Sequence, residues 1–475
     1  MNFKKTLLKN IITLGGYNYG SQILVFLSSI VLSRLLLPEE YGFVALITVF
    51  TGFVTIFSDA GLSFAIIRSD YGYTFHRAVT NLAFYIGLFL FLLMAILAYP
   101  IAYFYEDSEL ILPTILMSSI FILGAITIVP GAILSKRLDF NYIGKIRLIS
   151  NLISIVLMIV FAFLGFSYWS LIIPNLVLQL LQFIWFEHKV KIGFRFYPLR
   201  YSILAYRKTK SLMKNLSSYN LVNYWARNSD NLIIGKYYST YDLGIYSRAY
   251  KLLQLALSLI SGLFGTVLYP SLKKFKSEGG NVNEEYSNIL GIISIINFPV
   301  GAILILIPNF FVRILWGENW LMVADLLPYF GILIIFQTLI STIGHIYILE
   351  EKEKAFMQIG IITAVLMVVS IVIGAFFSVK LIAICYTVGF MVIIMPIYLY
   401  YGFIKTFGFT VKEIFRFWFP KLFLGLLIVA AEILEKPFYI YILMTIFAIH
   451  LIYFQRRDIS KLIQLFREKF LSQRR

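Results

Sequence analysis

Leu88-Phe89-Leu90-Phe91-Leu92-Leu93-Met94-Ala95-Ile96-Leu97-Ala98 lies in an uncharged stretch, 80–104. Glu106-Asp107-Ser108-Glu109 follows it, and a second uncharged stretch, 110–134, comes next. A bilayer crossing needs about 20 largely apolar residues, so each stretch predicts a membrane-spanning helix, and the acidic loop lies between two crossings. Working outward on the same criterion, helices are expected at 11–33, 43–66, 80–104, 110–134, 146–165, 168–186, 216–237, 245–269, 286–307, 326–349, 357–377, 381–403, 415–434 and 437–454. The fold class is therefore an all-α polytopic membrane protein of about fourteen transmembrane helices.

Composition agrees. Of 475 residues, 60% are hydrophobic and only 14% charged, against about half apolar and a quarter charged in soluble domains. That leaves too little charge to cover a soluble surface. The net charge of +17 raises the question of nucleic acid, but the basic residues fall in short gaps between apolar runs, as in cytoplasmic membrane loops. With the N-terminus inside, 33 of the 41 Lys and Arg fall on the cytoplasmic side, in the terminal segments and in 67–79, 135–147, 187–215, 270–285, 350–356 and 404–421. Arg34, Lys236, Arg248, Lys251, Arg313, Lys380 and Lys436 fall outside, and Arg227 lies within a helix. Both termini are expected in the cytoplasm. Lys4, Lys5 and Lys9 precede an apolar stretch too long for a signal-peptide core, so it reads as the first span. The single cysteine, Cys385, sits in an apolar run and reads as packing.

The longest loop divides the chain after six spans. The expected domains are a six-helix lobe over 1–188, a basic linker over 189–215, a second six-helix lobe over 216–404, and two extra helices with a basic tail over 405–475. An even number of spans per lobe makes the two lobes parallel repeats. At an offset of 202 residues, Tyr17-Asn18 meets Tyr219-Asn220, Arg34 meets Lys236, Glu40 meets Asp242 and Gly42 meets Gly244.

Polar residues inside spans are costly and tend to face a cavity or a partner. Four helices carry polar stripes at helical spacing: Asn18, Ser21, Gln22, Ser28 and Ser29; Thr48, Thr51, Thr55, Ser58 and Asp59; Asn220, Asn223, Arg227, Asp230 and Asn231; and Arg248, Lys251, Gln254, Ser258 and Ser261. The second pair is the repeat of the first, which suggests a central cavity between the lobes; helix–helix hydrogen bonding is the other reading. Arg227, Arg248, Lys251, Asn18, Gln22, Asn223, Asn231 and Gln254 are the candidate substrate-binding residues. Arg227 can pair with Asp230 three residues on or offer its charge to an anion. Arg248 and Lys251, one turn apart against the positive-inside trend, point to an anionic ligand. Asp59 is either a titrating site for ion coupling or a helix cap beside Gly61, and Asp230 is an ion-coupling or structural carboxylate. His345 reads as a satisfied buried histidine or as a group that titrates near neutrality, and Trp316 and Trp320 as interfacial belt residues.

The sequence has no phosphate loop, Cys/His cluster, Gly-x-Ser-x-Gly or ATPase domain. No catalytic residue, metal site or cofactor is expected, and transport would run on a gradient or on downstream pull.

Leu32-Ser33-Arg34-Leu35-Leu36-Leu37-Pro38-Glu39-Glu40-Tyr41-Gly42, followed by Ser58-Asp59-Ala60-Gly61-Leu62, resembles the start of bacterial polysaccharide and teichuronic-acid exporters. These belong to the superfamily that also holds the multidrug extruders and the lipid II flippase. Arg137-Leu138-Asp139-Phe140, Arg227-Asn228-Ser229-Asp230-Asn231-Leu232-Ile233-Ile234-Gly235, Leu243-Gly244-Ile245-Tyr246 and Trp316-Gly317-Glu318-Asn319-Trp320 continue the resemblance in order. It implies two lobes rocking around a central cavity in the inner (cytoplasmic) membrane. It also implies an oligosaccharide on undecaprenyl pyrophosphate, carried to the outer leaflet for cell-surface polysaccharide, lipopolysaccharide or exopolysaccharide synthesis. The expected partners are the lipid-linked oligosaccharide, membrane lipids and other polysaccharide-assembly proteins, with no nucleic acid. A cation antiporter would share the fold but want an acidic cavity. A membrane glycosyltransferase or polymerase would need a larger outer loop than any here.

Overall fold

The computed structural model describes residues 3–59, 62–68, 72–193, 203, 224–225, 227–265 and 268–454. Among the described residues every regular element is a helix. The chain is a multi-pass membrane protein: ten helices are long and apolar enough to cross a bilayer. Of the other four expected spans, the first and eighth are long helices whose polar stripes lower their hydropathy, the fourteenth is a shorter apolar helix, Pro437–Tyr453, and the seventh lies partly outside the described residues.

The chain forms two compact units, Met1–Ser247 and Arg248–Arg475. The first holds α1 (Phe3–Leu35), α2 (Pro38–Asp59), α3 (Leu62–Arg68), α4 (Tyr73–Tyr105), α5 (Ile111–Ser118), α6 (Ile120–Lys136), α7 (Phe140–Phe163), α8 (Trp169–Val190), α9 (227–237) and the start of α10 (Thr240–Gly265). α4 packs on α6, α1 on α7, and α8 on both α6 and α7. Val79, Val129, Ile133, Phe186 and Ile192 are buried among them. The expected span 110–134 is two helices in one crossing, broken at Ser119. Most of the expected linker 189–215 lies outside the described residues.

The second unit holds the rest of α10, then α11 (Leu268–Ser277), α12 (Val282–Leu306), α13 (Pro308–Leu315), α14 (Leu327–Ser341), α15 (Ile343–Leu349), α16 (Glu353–Ala375), α17 (Val379–Ile404), α18 (Val411–Ile433) and α19 (Pro437–Phe454). α14 is its centre. Thirteen of its 15 residues are buried, as expected of a helix that is apolar all round. α12 lies along it with Gly301 against Gly331. Asn297 donates to Thr338 across this contact, and the Tyr286 and Thr342 hydroxyls are 3.0 Å apart. These are the polar links that small-residue helix contacts allow in a membrane.

Caps fix several helix starts. The Asn281 side chain accepts from Asn283 N and Glu284 N, starting α12 four residues before the expected 286. Thr410 and Glu413 form a capping box that starts α18 at Val411, four residues before the expected 415. α17 widens to π winding at Phe390–Ile394 and Leu399–Ile404.

Candidate functional site

The repeat expected from sequence has a local structural counterpart. Leu37 N donates to Glu40 Oε2 (2.7 Å) ahead of α2, and Ser239 N donates to Asp242 Oδ2 (3.2 Å) ahead of α10. Leu36 N reaches Leu32 O and Tyr238 N reaches Ile234 O, each at 2.9 Å. Every residue in the second set is its counterpart plus 202. The first turns of α2 and α10 also touch reciprocally. A Cβ on Gly42 would stand 1.7 Å from Thr240 O, and a Cβ on Gly244 would stand 1.9 Å from Pro38 O. Exchanging each residue for its repeat counterpart, 42 for 244 and 240 for 38, turns one contact into the other. Glycine is required at both places because backbone meets backbone there.

Lys236, the counterpart of Arg34, donates to Phe104 O (2.6 Å) and to Glu106 Oε1 (2.8 Å) at the same end of the unit. That hydrogen bond and charge hold the Glu106 carboxyl below the usual carboxylate range.

Of the two readings of Arg227, the ion pair with Asp230 does not form. Arg227 is exposed, whereas Asp230 is 1% exposed. Asp230 Oδ2 accepts from the Tyr246 hydroxyl on α10 (2.9 Å) and Oδ1 accepts from Asn231 N (2.8 Å). No ion pair joins Asp230 to Arg227. Two donors meet the carboxylate, so it serves as a tie between α9 and α10, and Arg227 is left to the surface. Asn231 is half-buried, and its Oδ1 accepts no hydrogen bond among the described residues. Asn220 and Asn223 lie outside the described residues.

On α10, Arg248 and Lys251 part company. Arg248 is 4% exposed, and its guanidinium carbon lies 5.0 Å from the ring centroids of both Trp316 and Trp320. The tryptophans are 2% and 0% exposed. The expectation that they form an interfacial belt is therefore corrected: Gly317, at φ 89°, turns the chain after α13 so that both rings fold inward onto the arginine. Two aromatic faces on a desolvated guanidinium can each contribute about 2 kcal/mol. Lys251, one turn on, is exposed, and so is Gln254. The cation that can meet a ligand directly is Lys251; Arg248 is a fixed charge behind it.

The remaining candidates are scattered in role. Asn18 is exposed, and Gln22 is half-buried with an Oε1 that accepts no hydrogen bond among the described residues. Ser21 is used for packing: it accepts from Asn151 on α7 (3.2 Å). Thr48, Thr51 and Thr55 each donate to the carbonyl four residues back, which satisfies them within α2. Asp59 closes α2, and its side chain lies outside the described residues. His345 is half-buried in α15, and Cys385 is partly buried in α17.

The family described as polysaccharide biosynthesis protein matches residues 31–325. The teichuronic acid biosynthesis protein TuaB of Bacillus subtilis (strain 168) is 25% identical over 311 residues, 64% of this chain and 62% of that protein. The lipopolysaccharide biosynthesis protein WzxC of Escherichia coli (strain K12) is 23% identical over 301 residues, 61% of this chain and 59% of that protein. The chain thus spans about three-fifths of the length of these relatives. Among solved structures, the lipid II flippase MurJ in an inward closed conformation superposes with a TM-score of 0.68 at 16% identity, covering 95% of this chain and 100% of that one. An inward-facing multidrug resistance transporter of the MATE family superposes with a TM-score of 0.63 at 14% identity, covering 81% of this chain and 94% of that one. At these identities the structures establish a shared fold.

Proposed function

We propose that this chain, which belongs to the polysaccharide biosynthesis protein family, moves an oligosaccharide linked to undecaprenyl pyrophosphate from the cytoplasmic to the outer leaflet. The observation that carries the reading is the family match over 31–325, which takes in the end of α1 and all of α2, α9 and α10. The chain works as a transporter and not as an enzyme, by alternating access. It has fourteen spans in the inner membrane with both termini in the cytoplasm.

The lipid tail stays in the bilayer while the sugar head and pyrophosphate cross through a polar path. Bringing phosphate charge into a poorly screened region is costly unless cations meet it. Lys251 and Arg227 are the exposed cations on α10 and α9, and Arg248 adds a fixed positive charge one turn from Lys251. Gln22 and Asn231 are half-buried and have amide oxygens without a partner among the described residues, and Asn18, Asn223 and Gln254 are the further candidates on the polar stripes. Asp230 is structural.

The test is complementation of an export-deficient strain, reading surface polysaccharide and the lipid-linked oligosaccharide held on the inner leaflet. Loss of the chain should cause the inner-leaflet intermediate to accumulate. Lys251→Ala should impair export with little loss of folded protein, and Lys251→Arg should be milder because it keeps the charge. Parental export by both Lys251→Ala and Arg248→Ala would remove the anion site. Normal surface polysaccharide without the chain would remove the transport reading.

A further inference from the structure

We infer that a polar cavity at one end of the second unit binds the phosphate of a membrane-lipid headgroup, with Lys421 as its principal ligand. The inference does not depend on the transport reading, and it concerns a site separate from the α9 and α10 cations.

The cavity has a volume of about 590 Å³ and lies among the first turns of α12 and α18, the end of α19 and the segment that joins α17 to α18. Asn288, Arg416, Trp418, Lys421 and His450 line it. From sequence, Lys421 falls in the basic segment 404–421. In the structure it is ten residues inside α18, about 15 Å along the helix from Val411 at 1.5 Å per residue, and it is 3% exposed. Its ammonium lies 3.2 Å from the Phe417 ring centroid. Among the described residues it forms no ion pair.

A buried ammonium on a spanning helix is costly unless an anion accompanies it, and one ring face replaces only part of its hydration. The two carboxylates that line the cavity do not supply that anion. Glu284 and Glu413 stand in the first turns of α12 and α18. Glu413 lies eight residues before Lys421, about 12 Å nearer the mouth, and its Oε2 already accepts from Thr410 N and Oγ1. Arg416, between mouth and floor, is exposed and adds a second cation. The cavity therefore grows more positive with depth, which suits a phosphate seated at the floor.

Lipid is favoured over free phosphate because Lys421 lies within Val411–Ile433, a helix long and apolar enough to cross a bilayer. Phe415, Phe419 and Phe423 are 57%, 46% and 52% exposed and stack in one row, with centroids 4.2 and 6.0 Å apart. That row lies on the face of α18 turned away from Lys421 and offers acyl chains a seat along the same helix.

The experiment follows the rate at which a water-soluble acylating reagent modifies Lys421, read by mass spectrometry on the full chain in vesicles of galactosyl diacylglycerol, which has no phosphate. Adding phosphatidylglycerol to the vesicles should slow modification about tenfold if about nine-tenths of the sites fill. Inorganic phosphate in the phosphate-free vesicles should leave the rate unchanged. In native mass spectrometry, Lys421→Arg should keep a bound phospholipid that Lys421→Met loses. An unchanged rate with phosphatidylglycerol would overturn the site. Equal protection by inorganic phosphate would overturn the lipid as its source. Because the labelling reads the native chain, it decides the question even if Lys421→Met fails to fold.

Discussion

Gly42→Ala tests the reciprocal contact between α2 and α10. The added methyl would stand 1.7 Å from Thr240 O, 2.7 Å from Thr240 C and 3.0 Å from Gly244 N. Ordinary van der Waals contact begins at 3.4 Å, so the two backbones must part by about 1.7 Å at this point. Both neighbours are main chain, and no side chain can rotate away to absorb the clash. Overpacking of this kind costs about 1–3 kcal/mol, which lowers the weight of the closed contact about 5- to 150-fold relative to an open one. Gly244→Ala meets Pro38 O at 1.9 Å and should act in the same way. The double variant should add little, since either substitution alone already parts the same surfaces. Spin labels at Leu35 and Tyr237, both exposed, in a Cys385→Ser background would report the separation by pulsed electron resonance. A population at longer distance is expected for each single variant, with lowered export. Distance distributions identical to the parent in both variants would refute the argument that close backbone approach is what requires glycine at these positions.

Three further outcomes follow from the site geometry. Tyr246→Phe removes one of the donors to buried Asp230 and should lower stability by about 1–3 kcal/mol, seen as a fall in apparent melting temperature; Arg227→Ala should not, because Arg227 makes no ion pair with Asp230. Trp316→Ala should cost about 3–5 kcal/mol, the usual range for truncating a buried tryptophan, and should also loosen Arg248; normal stability would show that the aromatic clamp is not packed as described. Lys236 depresses the Glu106 carboxyl, so the stability gained from the pair is present above the ordinary carboxylate range and lost as pH falls through the depressed value. The gap in apparent melting temperature between the parent and Glu106→Gln should therefore be present at neutral pH and close on acidification; a gap that widened in acid would refute the assignment.

The sequence showed the helices well because lipid demands long apolar runs, and such runs are visible without tertiary knowledge. The fourteenth expected span, 437–454, matches α19 at both ends. Misses came where the signal was local and polar. α18 starts four residues earlier than expected because the Thr410–Glu413 capping box fixes its first turn ahead of the apolar run. The π windings in α17 leave no periodic trace in an apolar run. Within the candidate site, spacing put Asp230 beside Arg227, but the carboxylate turns to Tyr246, sixteen residues on and invisible to any i,i+4 rule. Trp316 and Trp320 looked interfacial because they flank a polar turn; only the fold of Gly317 brings them onto Arg248. Lys421 stands in a basic segment of the sequence, 404–421, and burial of a lysine cannot be seen from composition.

The reciprocal Gly42–Thr240 and Gly244–Pro38 contacts form an isologous interface inside one chain, the kind that normally joins two identical subunits. In a dimer of half-chains every substitution would appear twice, once on each side of the axis. Carrying both halves in a single polypeptide removes that constraint. The residues that must match for the surfaces to close, the two glycines and the acidic caps Glu40 and Asp242, are matched. Elsewhere the halves are free to differ: Arg248 and Lys251 on α10 have Leu46 and Val49 as their partners on α2. A symmetric dimer would bear this pair of cations twice over and pay for it in mutual repulsion. The single chain bears it once, so that this pair of cations stands in one half while the closing surface stays shared by both.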